Sequence, residues 1–575
     1  MNALEESHPE NDKSRQTLKA WQGEIQQNSY LLDADFRHSI HYYLANDHLR
    51  LDQELSKFAD RVVNELEPLV MENNLCQNLP RIEHYDNIGR RVEKIVHHPS
   101  YEAAGNIIYS SRILERMSKN GGLLEALTFM FLSSQVGEAG HNCPIACSAG
   151  IIRVLQKINN FPQKKFFLEK LSTPSYTDNF TGAQFLTEIQ GGSDVGQNAS
   201  EAYQDGSGNW RITGEKWFCS NADAELILMT ARFDPSIPGT KGLGLFLVPS
   251  RLDTGERNHY TMRRLKDKIG TRSMASAEID FHGAYAIAIG PPTEGFKMVM
   301  ENVLHISRLF NTFCVLGMAR RAYHIALSYA HHRVAFEYPI INYPLVQENL
   351  ARIKAESNAL IASIFATTDL QDKYDTGKIT GEKNKLLLRL LANLNKYLSA
   401  LWTVDHIHHA LDTLAGNGAI ENFSIIPHLL RDSIVCENWE GTHNILRMQI
   451  LKDILRYQID EIFLNHLEEV ISQIDECRGH KNVLKQNIDL LKANLKRLKS
   501  SSQELQSLQI KKIVDQMATV FSALHLLSES IDQEKKGSHS KSACFEYFSK
   551  LHLSGLEVSY HQDFLNLLKM ILGYS

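Results

Sequence analysis

Three glycine clusters are the first places in this sequence where the backbone could meet a ligand. Gly191-Gly192-Ser193-Asp194, Gly416-Asn417-Gly418 and Gly441-Thr442 could each approach an anionic or carbonyl-bearing group closely, because glycine carries no Cβ and lets N–H groups point outward. Taken singly, each reads first as plain turn chemistry. No GxGxxG follows a predicted strand and no GxxxxGK[ST] occurs, so neither a Rossmann domain nor a P-loop is supported. His406 and His409 share a helix face beside His408, but no third ligand is evident. Surface or capping histidines are favoured and no metal is expected. The eight cysteines contain no CxxC pair. Cys143 and Cys147 stand one helical turn apart without a second ligand pair, so free thiols in a reducing compartment are expected.

The elements that must position these residues follow from the breakers. Fifteen of the 33 glycines fall between Gly182 and Gly295, with Pro235, Pro238, Pro249, Pro291 and Pro292 among them. Short β-branched and aromatic runs in that stretch, such as WRITGEKWF and GLGLFLVP, predict an antiparallel sheet or small barrel. No proline occurs from His428 to Ser575, and Leu, Ile and Lys recur there at helical spacing, as they do in 45–70, 295–335, 345–370 and 383–415. The order is helices, sheet, helices: an α+β chain, mostly α, with a β module inserted. At 575 residues the chain exceeds one compact core. Hydrophobic residues at 43% and charged residues at 22% exclude wholesale disorder. A net charge of −6 argues against a bulk polycationic nucleic-acid binder. No window of about 18 apolar residues suggests a membrane span, and the polar N-terminus has no apolar leader, so a cytoplasmic protein is expected.

Read together, the clusters and their neighbours carry more. FLTEIQGGSDV at 185–195 and ITGEKWFCSN at 212–221 resemble the flavin-facing β domain of the acyl-CoA dehydrogenase family. RVAF at 333–336, LAGNG at 414–418 and WEGT at 439–442 follow in that family's order and approximate spacing, over about 130–455. Within the family the chain most resembles the AidB-type, adaptive-response branch. The strings that carry this are GRRVEKIVHHPSY at 89–101, VGEAGHNCPI at 136–145, LKDKIGTRSMASAEIDF at 265–281, and the extension after Tyr457. The resemblance implies an N-terminal extension and α-helical domain (1–180), a middle β domain (181–291), a C-terminal four-helix bundle with FAD and catalytic motifs (292–456) and an extra helical domain (457–575).

It also implies a reaction, α,β-dehydrogenation of an acyl-CoA thioester with FAD as cofactor, as in fatty acid metabolism. The α-proton is weakly acidic, so the family needs a carboxylate base and a polarised thioester carbonyl. Glu440 occupies the base position, with its own N–H at the carbonyl. Some members carry the base just before an arginine; that arginine matches Arg308, and Ser307 before it cannot serve. Thr187 and Ser193 match positions at the flavin edge and the pyrophosphate or substrate region, and Arg308 and Gly441 positions near the substrate. Phe218 matches an aromatic over the isoalloxazine, although it also reads as a strand core residue, and Ser220 a hydroxyl near N5. Arg333 and Phe336 match a pair reaching the neighbouring subunit's FAD. Gly416, Asn417 and Gly418 would line the same diphosphate, and Thr442 and Asn444 the adenine end. A shared cofactor implies a homo-oligomer, a dimer or a tetramer. Three positions depart from the pattern: Glu337 replaces a Gly, Pro344 a Gln and Asp412 another Gln. All lie at the diphosphate–adenine end, where an added acid is unfavourable unless it points away.

One further feature stands in the extension. Between Arg478 and Lys499 the local charge is +6. At 100° per residue, Arg478, Lys481, Lys485, Lys492, Lys496 and Lys499 fall in one sector about 60° wide. A solvated helix face is the plain reading. The resemblance adds double-stranded DNA as a partner, and an acidic or CoA-carrying protein is a third option. Three functions therefore stand: an FAD-dependent acyl-CoA dehydrogenase, a DNA-associated flavoprotein with little turnover, and an acyl-chain binding protein.

Overall fold

The structure, a computed structural model, describes residues 9–45, 47–159, 161, 163–474, 479–555 and 561–574. Helices lead from Pro9–Ile25 to Lys164–Ser172, a seven-stranded sheet occupies 182–288, and helices resume at Gly295–Met298 and run to Gln562–Leu572. That is the order the breakers predict. One departure is a two-stranded hairpin, Arg81–Tyr85 with Arg91–Val96, among the leading helices. Its turn is chemically explicit: Asp86 accepts the N–H groups of Ile88 and Arg90 at 3.0 and 2.8 Å, and Gly89 takes φ +80°. Glu93 then accepts the Met262 N–H at 2.8 Å, which docks the hairpin on the sheet.

The sheet closes on itself. Leu226–Arg232, Glu201–Gln204, Trp210–Ser220, Ser276–Ala288 and Leu243–Pro249 are successive hydrogen-bonded neighbours, and the last pairs back onto the first. Pairing is antiparallel except along one edge of Leu226–Arg232, where Gly182–Phe185 and Glu201 run parallel to it. Alternation along two strands decides what each face does. Ile227, Met229, Phe246 and Val248 fill the barrel, while Leu226, Leu228, Leu245 and Leu247 join the helical core. The barrel is therefore seated against the helices by the outward half of its own strands.

At the centre of the helical part lies His305–His332, buried almost without a break from His305 to Tyr323. It approaches Leu123–Ser134 so closely that a Cβ on Gly317 would sit 2.2 Å from the Phe131 carbonyl oxygen. A π-helical stretch, Val299–Leu304, precedes it. The helices of the extension, Ile459–Gln473, His480–Lys499, Gln503–Lys535, Ser540–His552 and Gln562–Leu572, share one continuous core with the bundle and the leading helices. Buried polar groups reinforce that seam. Asp33 pairs with Arg320 (2.8 Å to Nε). Asp35 accepts from Asn358, Gln533 and Ser540 at 3.0, 2.9 and 2.8 Å. Lys541 meets Glu529 and donates to Ser39 Oγ at 2.7 Å. Among the described residues, no helix is long and apolar enough to cross a membrane.

Candidate active site

Glu440 stands in a short connection between two helices, Ile426–Asn438 and His443–Tyr457. Neighbouring helices hold the carbonyls of this connection and of the helix end before it. Arg308 Nε donates to the Glu440 carbonyl at 3.1 Å, and Lys396 Nζ donates to those of Glu437 and Gly441 at 2.9 and 2.8 Å. Trp439 Nε1 donates to Asn311 Oδ1 at 2.6 Å. With its carbonyls anchored, the connection turns sharply: Glu440 takes φ +59° and Gly441 φ +104°. The left-handed region disfavours a side chain such as glutamate, and such strain concentrates at functional positions. Glu440 Oε2 is buried without a hydrogen-bond partner. Burial drives the carboxyl's pKa up to about 7, against the lowering pull of Arg308 and Lys396. Both cations are themselves depressed by burial, to about 10 and about 8. Such a carboxylate is poised to take a proton near neutral pH. Glu440, Gly441 and Arg308 are thus brought together, and Lys396, Asn311 and Asn393, which accepts from Arg308 at 2.6 Å, complete the cradle.

The barrel rim supplies a second group. Thr187 and Trp217 are joined by a 2.9 Å backbone bond, and Glu188 bridges to Gly191. A Cβ on Gly191 would lie 2.4 Å from Asn198 Oδ1, so that turn needs its glycine, whereas Gly192 and Ser193 are exposed. A register shift in Trp210–Ser220 between Lys216 and Cys219 accompanies the exposure of Phe218, which is 42% accessible. Phe218 is therefore a surface-facing ring, not a strand core residue. Ser220 Oγ lies 3.1 Å from Ser276 Oγ. Beneath the rim, Glu188 and Lys216 form a buried pair at 2.7 Å, and Glu188 also accepts the Ala199 N–H at 2.6 Å. Burial raises the Glu188 carboxyl, yet the Lys216 charge and these donors hold it below the ordinary range.

This geometry can be set beside known proteins. The domain described as acyl-CoA dehydrogenase, middle domain, matches residues 183–284, and acyl-CoA dehydrogenase, C-terminal domain, matches 293–455. The adaptive response protein AidB N-terminal domain matches 25–178. Acyl-CoA dehydrogenase family member 11 of Caenorhabditis elegans is 31% identical over 421 residues, 71% of this chain and 67% of that one. The chain belongs to the acyl-CoA dehydrogenase family. AidB of Escherichia coli (strain K12) is 29% identical over 392 residues, covering 65% of this chain and 69% of its own. Caenorhabditis elegans ACDH-11, solved in complex with C11-CoA, superposes with a TM-score of 0.82 at 25% identity, over 92% of each chain. Coverage that wide includes the helical extension as part of the shared fold.

Of the remaining family positions, Thr442 and Asn444 follow Glu440 closely in the chain and the others come from different elements. Arg333 and Phe336 stand on a hairpin, Val334–Ala335 with Tyr338–Pro339; Phe336 is 88% accessible and Arg333 is exposed. Glu337 takes φ +77°, a left-handed conformation that favours glycine. Pro344 begins Pro344–Asp375, the one turn of a helix where proline costs no hydrogen bond. Asp412 is exposed beside Gly416 and Asn417. Asn417 donates to Tyr329 Oη at 3.1 Å, and a Cβ on Gly418 would lie 2.3 Å from the Leu411 carbonyl oxygen. Thr442 opens His443–Tyr457; Asn444 accepts from Arg447 at 2.7 Å, and Arg447 reaches Tyr397, whose hydroxyl meets Asp515 of the extension.

Two surface features read from the sequence look different in space. His406 is buried and lies 2.7 Å from Glu356, so it is a core group and not the surface or cap residue expected; His408 is exposed. Among the described residues no group of three His, Cys, Asp or Glu could hold a metal ion. Arg478 lies outside the described residues. Lys481 donates to the Ile474 carbonyl, Lys492 pairs with Glu468 and Lys499 with Asp460. Lys485 and Lys496 alone of the described stripe are exposed without an ion pair. Each phosphate contact contributes about 0.9 to the salt slope of duplex binding. If duplex DNA binds this face, substituting both, K485E and K496E, is therefore expected to lower the slope by about two at most, measured by DNA titration across ionic strength.

Proposed function

We propose that the chain is an FAD-dependent acyl-CoA dehydrogenase that removes one α- and one β-hydrogen from an acyl-CoA thioester, with Glu440 as the base. The observation that carries this reading is the Glu440 carboxyl, with Oε2 buried and unpartnered, on a left-handed backbone and raised to about 7. Glu440 would take the α-proton onto its carboxylate, while Arg308 and Lys396 keep the connection from moving as its charge is lost. The residues at hand suit a flavin. Phe218 offers an exposed aromatic face, Ser220 a hydroxyl, and Gly416 stands in open space where backbone could meet a diphosphate. FAD, when bound, supplies the two-electron acceptor for the β-hydrogen. A relative crystallised with C11-CoA supports a thioester of CoA as the substrate class. Exposed Arg333, Phe336, Val334, Tyr338 and Leu345 favour a second copy of the chain completing the cofactor site.

Anaerobic mixing with saturated acyl-CoAs of graded chain length tests the proposal. Loss of the flavin's visible absorbance with at least one of them is expected, and no bleaching at any length would overturn it. A second reading, an AidB-type flavoprotein with little turnover, is favoured by the match over 25–178 and by the acid at Glu337. Glu337→Gly is expected to stabilise the fold by about 0.5–1 kcal/mol through relief of left-handed strain, net of the glycine's greater unfolded-state entropy. It should also tighten FAD retention by removing a negative charge near the diphosphate. Thermal unfolding and flavin titration of E337G check the two effects separately.

A further inference from the structure

Behind the barrel rim lies a polar chain that the reaction above does not use. Lys268 Nζ donates to the Met274 carbonyl at 2.8 Å and to Ser276 Oγ at 2.9 Å. Ser276 Oγ in turn lies 3.1 Å from Ser220 Oγ. Ser276 is buried, while Lys268 and Ser220 are half-buried. The direction of this chain is set at its inner end. An ammonium has three protons to give and no lone pair to receive one. Ser276 must therefore accept from Lys268, and Ser220 Oγ is the acceptor within reach of its own buried O–H. Ser220, already accepting and only half-buried, has its proton left to donate elsewhere. If Lys268 were neutral, its nitrogen could accept, and the chain could run in either direction.

We propose that Lys268 is a positioning residue which, through Ser276, fixes the Ser220 hydroxyl as a hydrogen-bond donor toward the bound flavin. The inference rests on the reading that FAD binds at this rim. Burial lowers the Lys268 pKa to about 8; the groups facing it are Cys143 on Ala139–Lys157 and Asp432 on Ile426–Asn438, both of which raise it. Asp432 is itself faced by His428 and Arg431. The oriented state is thus the one present at neutral pH, and it is lost as pH rises through about 8.

The test uses the full FAD-loaded chain and its K268M, K268R and S276A variants. FAD content, the visible spectrum and the flavin midpoint potential are followed from pH 6 to 10, without substrate. In the parent, the potential–pH line is expected to change slope near pH 8 together with a shift of the visible bands. K268M and S276A should lose both features while still binding FAD. K268R should keep the low-pH spectrum across the range, because a guanidinium does not deprotonate there. A merely structural lysine would alter melting temperature without moving the pH break. An unchanged spectrum and break in flavin-replete K268M or S276A would overturn the chain of hydrogen bonds alone. A parent chain that takes up no flavin would overturn both this inference and the reading it rests on.

Discussion

Glu440→Gln is expected to slow acyl-CoA-dependent flavin reduction by about 10³-fold, within the range a positioned general base contributes. The substitution preserves shape and removes only the capacity to take a proton. Arg308 and Lys396 bond to carbonyls of the connection and not to the carboxylate, so the backbone geometry should survive. Stopped-flow traces of the variant with a substrate that bleaches the parent measure the loss, and retained reduction would remove Glu440 from the chemistry. The parent's pH profile carries the same signature. A base raised to about 7 is largely protonated below that pH. The rate should therefore climb about tenfold per pH unit up to about 7 and then level. Stability should run the other way. The folded carboxyl holds its proton above the ordinary value of 4.5, so its contribution is fully present below that value and is lost as pH rises through about 7. E440Q should flatten that part of the stability curve.

The largest expected effect on stability lies under the rim. Lys216→Met leaves Glu188 as a buried carboxylate without its cation, a change that typically costs about 3–5 kcal/mol. Both side chains are at most 1% exposed, so solvent cannot take over the lost partner. Urea unfolding of K216M should show the loss. The double variant K216M/E188Q should recover much of it, because an amide needs no counter-charge. If K216M alone unfolds at the parent's midpoint, the pair is not holding the rim. Because Glu188 also receives the Ala199 N–H and bridges to Gly191, flavin should be lost at lower denaturant than the fold itself.

Glycine and proline marked the barrel in the sequence because its turns need special φ values or interrupt hydrogen bonding, and helical spacing marked the long helices because their apolar faces repeat. The hairpin at Arg81–Val96 escapes that approach: its strands are short and charged, with only Glu93 and Ile95 buried, so no apolar alternation announces them. Glu440 is legible through the WEGT string it belongs to, but its raised pKa is not. That comes from burial under elements distant in sequence, which outweighs the opposing pull of Arg308 and Lys396, 132 and 44 positions earlier in the chain (440 − 308 and 440 − 396). Glu188 and Lys216 likewise sit in plain view inside two motifs, yet only strand register brings them together. The lysine stripe was clear in a helical projection. A projection shows which side chains share a sector, but not that Glu468 and Asp460 lie across from two of them.

The seam between the first and last parts of the chain has a consequence for how the protein is made. Ser39 and Lys541 are 502 positions apart and touch, while Asp35 waits for Gln533 and Ser540. Leading helices emerging from a ribosome would carry Asp33 and Asp35 without the partners that later satisfy them. Arg320 and Asn358 arrive about 290 to 320 residues later, and Gln533 and Ser540 about 500 later. Such distant contacts close slowly, because loop entropy is lost before the contact repays it. Asp515, which supports Tyr397 and through it Arg447 and Asn444, is also a late arrival. One end of the candidate site thus matures only once residue 515 has been made, and until then the nascent chain has use for a chaperone to shield its unfinished core.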